Sequence, residues 1–299
     1  VALLIITTIL WAFSFSLIGE YLAGSVDSYF SVLMRVGLAA LVFLPFLRTR
    51  GQSPRTIVLY MLVGAMQLGI MYLLAFRAYL YLTVSEFLLF TVFTPLYITL
   101  IYDLLSGRKL RWGYLLSAAL AVLGAAIIRY DKVSDHFWTG LLLVQLSNLC
   151  FAIGMVGYKR LMEVRPMPQH NAFAWFYVGA FIVAVAAWFM LGNAQKLPTT
   201  TLQWSVLVWL GVVASGLGYF MWNYGATQVD AGTLGIMNNV HVPAGLLVNL
   251  AIWQEQPHWP SFISGALVIL ASLWVHRRWV APHSGQTADD RRRGSAQSE

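Results

Sequence analysis

The chain has 299 residues, 59% of them hydrophobic and only 10% charged, whereas soluble domains carry about 25% charged residues. That balance excludes a soluble enzyme and leaves little chain for a domain outside a bilayer. The net charge of +7 follows from where basic residues cluster along a membrane chain and does not point to nucleic-acid binding.

A bilayer core about 30 Å thick takes roughly 20 apolar residues per spanning helix. Ten such stretches follow one another, near 2–18, 29–47, 57–80, 85–105, 112–129, 139–158, 170–191, 203–226, 232–253 and 259–276. The first, "ALLIITTILWAFSFSLIG", has neither a basic leader nor a small-x-small cleavage site, and it reads as a span and not as a signal peptide. The second carries Arg35, and the third ends in "MYLLAFRAYLYLTVSEF", which holds Arg77 and, past a turn near Leu82, Glu86 at the start of the fourth. Pro95 lies inside the fourth span and Pro243 inside the ninth, where each can kink a helix and free carbonyls. The lone Cys150 allows no disulfide within one chain. Beyond the tenth span, residues 281–299 form a polar tail ending in "DDRRRGSAQSE" that reads as solvated, within reach of anionic lipid.

Lys and Arg accumulate in cytoplasmic loops. With the N-terminus inside, 14 of the 19 basic residues fall on the cytoplasmic side and three, Arg129, Lys132 and Lys196, on the other. Arg35 and Arg77 are the remaining two, both within apolar segments. Both termini are therefore expected to be cytoplasmic.

A shift of 148 residues lays Pro95 on Pro243 and Ala118 on Ala266, and a shift of 140 lays "LWAFSFS" on "CFAIGMV". The expected fold is an all-α membrane protein of ten transmembrane helices, built as two inverted five-helix repeats, 1–132 and 136–280. An odd number of spans per repeat makes the second copy enter from the opposite side. Inverted pairs place a binding site near the midplane between the halves and permit alternating access. Transport is the function this organisation predicts. "GAMQLG", "SAALAVLGAA" and "GVVASGLG" are small-residue faces for helix packing.

"LWAFSF" in the first span, "MRVGLAALVFLP" with Arg35 in the second, and the "GALVILASLWV" helix at the end resemble the EamA branch of the drug/metabolite transporter superfamily over residues 1 to 280. Within that branch, "FRAYLYLTVSE", "GMVGYKRLME" and "GYFMWNYGATQVDAGTLGIMNN" are most similar to the biotin-importing members of enteric bacteria. The resemblance implies biotin as the small-molecule partner, uptake across the bacterial inner membrane, no cofactor, and a monomer or weak dimer in lipid. Export of aromatic or amphipathic amino acids is the alternative that the same branch offers. A membrane enzyme is disfavoured, since the sequence shows no metal cluster, paired carboxylates, nucleophile motif or phosphate loop.

An Arg at the centre of a membrane helix costs about 2.5–3.5 kcal/mol and usually faces a cavity or a partner. Arg77 shares a stripe with Gln67, Met71, Leu74 and Tyr81 at helical spacing. It is expected either to pair with Glu86 across the hairpin or to meet a substrate carboxylate, and it departs from the small or aromatic residue usual in the family there. Arg35, a position where a basic residue is common in the family, is the second carboxylate candidate. Amides cannot be left unpaired in lipid, so Gln145, Asn148, Asn223 and Asn238 are expected to border helices or a cavity, where they can meet a ureido group. Trp11, Tyr97 and Trp222 are candidates for an aromatic wall. Glu86 and His241 are candidates to carry a proton if uptake is proton-coupled, and Pro95 and Pro243 are candidate hinges. His241 is also a candidate substrate contact, on one face with Asn238 and Asn249.

Overall fold

A computed structural model describes residues 2–105, 135–229, 244–253 and 259–279, with 116, 119, 120, 123, 124, 127, 237 and 238 individually placed. The described chain is helical: α1 Ala2–Tyr21, α2 Ser28–Phe43, α3 Pro54–Ala78, α4 Val84–Phe90, α5 Thr94–Leu105, α6 Asp135–Val164, α7 Gln169–Leu191, α8 Thr201–Thr227, α9 Ala244–Trp253 and α10 Trp259–Trp279. Among the described residues seven helical stretches are long and apolar enough to cross a bilayer. Much of the fifth and ninth expected spans, with His241 and Pro243, lies outside the described residues.

Local signals set the helix starts. The Asp27 carboxylate accepts from the Phe30 N–H ahead of α2, and Ser53 accepts from the Thr56 N–H with Pro54 in the first turn of α3. Thr83 with Glu86, and Thr200 with Gln203, form reciprocal capping boxes at α4 and α8.

Three helices depart from α geometry, two in their interiors and one at its end. Residues Ala65–Ile70 of α3 and Leu210–Leu217 of α8 are π-helical, as is Asn249–Trp253 at the end of α9. A 3-10 turn, Thr91–Phe93, separates α4 from α5. Its physical cause is Pro95, which has no N–H to offer the Thr91 carbonyl. That carbonyl accepts instead from the Thr94 hydroxyl at 2.7 Å, and the Phe90 carbonyl accepts from the side chains of Asn148 at 2.9 Å and Gln145 at 3.3 Å.

Two of the π segments pack on helices distant in sequence. The one in α8 packs on α2, and the one in α3 packs on α7. At the second contact Gly64 lies against the Phe176 backbone and Gly179 against the Met61 backbone, so close that no side chain fits at either.

Loop contacts define the two ends of the bundle. At one end the Asp27 N–H donates to the Lys196 carbonyl at 2.7 Å and Lys196 Nζ reaches the Gly24 carbonyl, joining the α1–α2 loop to the α7–α8 loop. At the other, the Arg48 N–H donates to Asn171 Oδ1 and an Arg165 Nη donates to Thr56 Oγ1, joining the α2–α3 loop to the α6–α7 loop. Large apolar side chains such as Leu41, Leu62, Leu142 and Phe189 face outward, and they suit lipid contact.

Candidate functional site

A cavity with an open mouth lies between the helices. Trp11, Ser14, Phe15 and Ile18 of α1 form one wall, and Met71, Tyr72, Ala75, Phe76 and Tyr79 form another. Phe87, Thr91 and Thr94 face Ser147, Asn148 and Phe151 of α6. Arg35, Tyr219 and Asn238 complete the lining, so residues from before and after position 135 share it.

Arg35 is its charged feature. It is 3% exposed, and its Nε–H donates to Ser215 Oγ at 2.6 Å. The guanidinium lies 4.2 Å from the Tyr72 ring centroid and 5.9 Å from that of Phe76, a cation–π seat in a desolvated place. Ser215 Oγ is also 2.9 Å from the Tyr72 hydroxyl. Tyr177 donates to the Ser215 carbonyl at 2.6 Å and to the Gly216 carbonyl at 3.0 Å, carbonyls that lie in the π segment of α8. Among the described residues no carboxylate lies within 4.0 Å of Arg35. A buried cation held by neutral groups alone is a place for an anion.

Two further groups in the cavity wall lack a hydrogen-bond partner among the described residues: the Tyr79 hydroxyl and Asn238 Nδ2. Trp11 donates its indole N–H to the Ala214 carbonyl at 3.0 Å and turns its ring toward Tyr219 at 4.7 Å and Trp222 at 5.0 Å. Further polar contacts lie toward the end with the α2–α3 loop. There Trp222 donates to Met155 Sδ, and Lys159 Nζ donates to the carbonyls of Ala226 and Val229.

Of the residues expected to form the site, Trp11, Arg35, Asn148 and Asn238 line this cavity. The other described ones are placed elsewhere, and His241 lies outside the described residues. Gln67 and Asn223 exchange two amide hydrogen bonds, at 2.9 and 3.1 Å, and both are fully buried. Gln145 accepts from the Tyr97 hydroxyl at 3.1 Å, so Gln145 and Tyr97 are joined beside the broken helix, not in the cavity wall. Trp222 stands behind Trp11.

Arg77 requires a correction. It is not in the cavity wall, because it follows Ala75 by two residues, roughly 200° around the helix, and Ala75 faces the cavity. Its guanidinium lies 5.8 Å from the Tyr29 ring centroid. The expected Arg77–Glu86 ion pair is not formed either: the Glu86 carboxylate accepts from the Thr83 N–H at 2.9 Å, where the capping box holds it. The stripe that linked Gln67 to Arg77 fails for the same geometric reason. The π segment between Gln67 and Met71 shifts the register, and the cavity face of α3 is Met71, Tyr72, Ala75, Phe76 and Tyr79.

Sequence reasoning passed over Ser215, Tyr72, Tyr79 and Tyr219. The signal for two of them was present, since Tyr72, Phe76 and Tyr79 are spaced four and three apart. Ser215 lay in "GVVASGLG" and was read as packing alone.

The EamA-like transporter family matches residues 1–130 and again 138–277. The chain belongs to this family. It is 83% identical over 298 residues to the biotin transporter of Escherichia coli strain K12, spanning the whole of both chains. The probable biotin transporter of Pseudomonas aeruginosa is 55% identical over 276 residues, 92% of this chain and 96% of that one. A probable terminal-alkyne amino-acid exporter of Streptantibioticus cattleyicolor is 20% identical over 184 residues, 62% of this chain and 61% of that one. A solved crystal structure shares the fold at a TM-score of 0.64 and 17% identity, over 92% of this chain and 95% of that chain. The EamA-like chain is thus a multi-pass membrane transporter and not an enzyme.

Proposed function

We propose that this EamA-like chain is a secondary transporter that imports biotin across the bacterial inner membrane by alternating access. The observation that carries the reading is Arg35, a buried guanidinium without a carboxylate partner among the described residues, lining a cavity between the helices. The chain's full-length relatives bear the name biotin transporter. Biotin offers a carboxylate on a flexible arm, a ureido group with one acceptor and two donors, and an apolar sulfur ring. Arg35 takes the carboxylate, Asn238 and Asn148 face the ureido group, and Trp11 with Tyr219 and Phe151 lies along the ring system. Bound carboxylate completes the shell of a cation that is otherwise held by one serine and two rings.

The reading includes ten spans in two inverted repeats with both termini cytoplasmic. Two observations support inversion. The α1–α2 loop and the α6–α7 loop, which join the first two spans of each proposed half, lie at opposite ends of the bundle. The third span of each half, α3 and α8, carries a π segment, and each segment packs on the second span of the other half. Arg48, Arg165 and their basic neighbours mark the end with the α2–α3 loop as cytoplasmic. The layer of Trp222, Met155 and Lys159 lies on the cytoplasmic side in this reading, as an outward-facing state requires. Glu86 serves helix capping in this state, and its part in proton coupling, with that of His241, is left to pH-dependent uptake.

Labelled biotin uptake by cells unable to make the vitamin, with this gene present or deleted, tests the reading. Uptake at nanomolar supply is expected to depend on the gene, and equal uptake with and without it would sink the importer assignment. Retained label that falls faster with the gene present would favour the exporter reading.

A further inference from the structure

We infer that the Tyr79 hydroxyl is a specificity-determining contact, donating a hydrogen bond to the carbonyl of the substrate's neutral head group. This rests on the biotin reading above and extends it from the carboxylate to the neutral head group.

Tyr79 is 7% exposed and lines the cavity, and its hydroxyl has no partner among the described residues. A buried hydroxyl left unpaired has its desolvation cost uncompensated, so the orphan calls for a partner that arrives from outside the fold. The ring itself is held. It stacks on Phe87 with centroids 4.2 Å apart and planes at 16°. Its other flank passes Gly19, where a side chain would begin 3.7 Å from two of its ring carbons. Such a seat fixes the direction in which the hydroxyl can donate.

The lining suits a ligand with a charged tail and a neutral head. Arg35 lies over Tyr72 and 5.9 Å from the Phe76 ring centroid, and Tyr79, the residue that caps α3, adds a neutral hydroxyl to the same wall. Asn238 Nδ2, the second orphan in the cavity wall, is also a donor. Both donors therefore favour an acceptor in the head group, and a ureido oxygen has two lone pairs to meet them.

Tyr79→Phe tests this with little structural cost, since the hydroxyl it removes makes no bond within the described protein. Uptake kinetics are compared for biotin and for the analogue in which sulfur replaces the ureido oxygen, a much weaker acceptor. The variant is expected to raise the KM for biotin about tenfold and to leave the KM for the thio analogue nearly unchanged, so discrimination between the two collapses. An unaltered KM for biotin, with the variant present in the membrane at wild-type level, overturns the assignment. An equal loss for both ligands also overturns it, because the hydroxyl would then lie away from the head carbonyl. Absence of gene-dependent biotin uptake in the wild type would instead sink the importer reading itself, so the two failures are distinguishable.

Discussion

Two arginines stand in apolar spans, and their surroundings separate their roles. Arg35 is enclosed by Ser215, Tyr72 and Phe76 within the cavity wall, whereas Arg77 is half-buried beside Tyr29. Truncating one member of a buried hydrogen-bonded charge pair costs about 2–5 kcal/mol. Arg35→Gln is accordingly expected to lower kcat/KM for biotin about a hundredfold or more, while uptake of an analogue lacking the carboxylate changes little. Arg77→Gln is expected to change biotin kcat/KM less than about threefold, in keeping with an exposed or half-exposed charge. Equal effects of the two substitutions would contradict the assignment. Both arginines were legible as intramembrane cations, and their order of importance was not. Residue spacing placed Arg77 on a plausible stripe, but a π turn in the same helix moved the cavity face away from it.

At the scale of the helix, breaks in regular geometry carry side-chain duties with them. Pro95 was readable as a break, and Asn148 and Gln145 were readable as amides needing partners; that the amides satisfy the carbonyl beside the break required the fold. The capping box of Thr83 and Glu86 was written in the order Thr-x-x-Glu, a signal that outweighed the hairpin ion pair because it is satisfied within one turn. Gln67 and Asn223 join α3 to α8 as a closed amide pair. Gln67→Leu alone strands the Asn223 amide and is expected to lower stability by about 1–3 kcal/mol, read as a lower midpoint of thermal unfolding in detergent. Adding Asn223→Leu removes the stranded group and is expected to recover part of that loss. A double variant less stable than the sum of the singles would show that the pair does not act as a unit.

For the whole molecule, the bundle ends are set by which loops touch. In a Cys150→Ala background, Gln195→Cys in the α7–α8 loop is expected to react with a membrane-impermeant thiol reagent in intact cells. Gln52→Cys in the α2–α3 loop is expected to react only after the cells are opened. The reverse pattern would invert the proposed orientation and with it the outward-facing state. The same experiment bears on the repeat, since two inverted halves put their second connecting loops, α2–α3 and α7–α8, on opposite sides of the membrane.

The sequence by itself determined that this chain lives in a bilayer, where apolar stretches fall, which end carries the positive charge, and that it resembles a transporter family. These are properties of composition and order, and they hold whatever the helices pack against. Only the tertiary structure decided which polar groups are spent on one another and which face the cavity. Gln67 with Asn223, Gln145 with Tyr97 and Glu86 with the Thr83 N–H each found partners, while Arg35 found no anion and Tyr79 and Asn238 found no partner among the described residues. The reason is that lipid offers no hydrogen bonds, so each buried polar group takes the nearest partner the packing brings. A group left over becomes visible once those pairings are made.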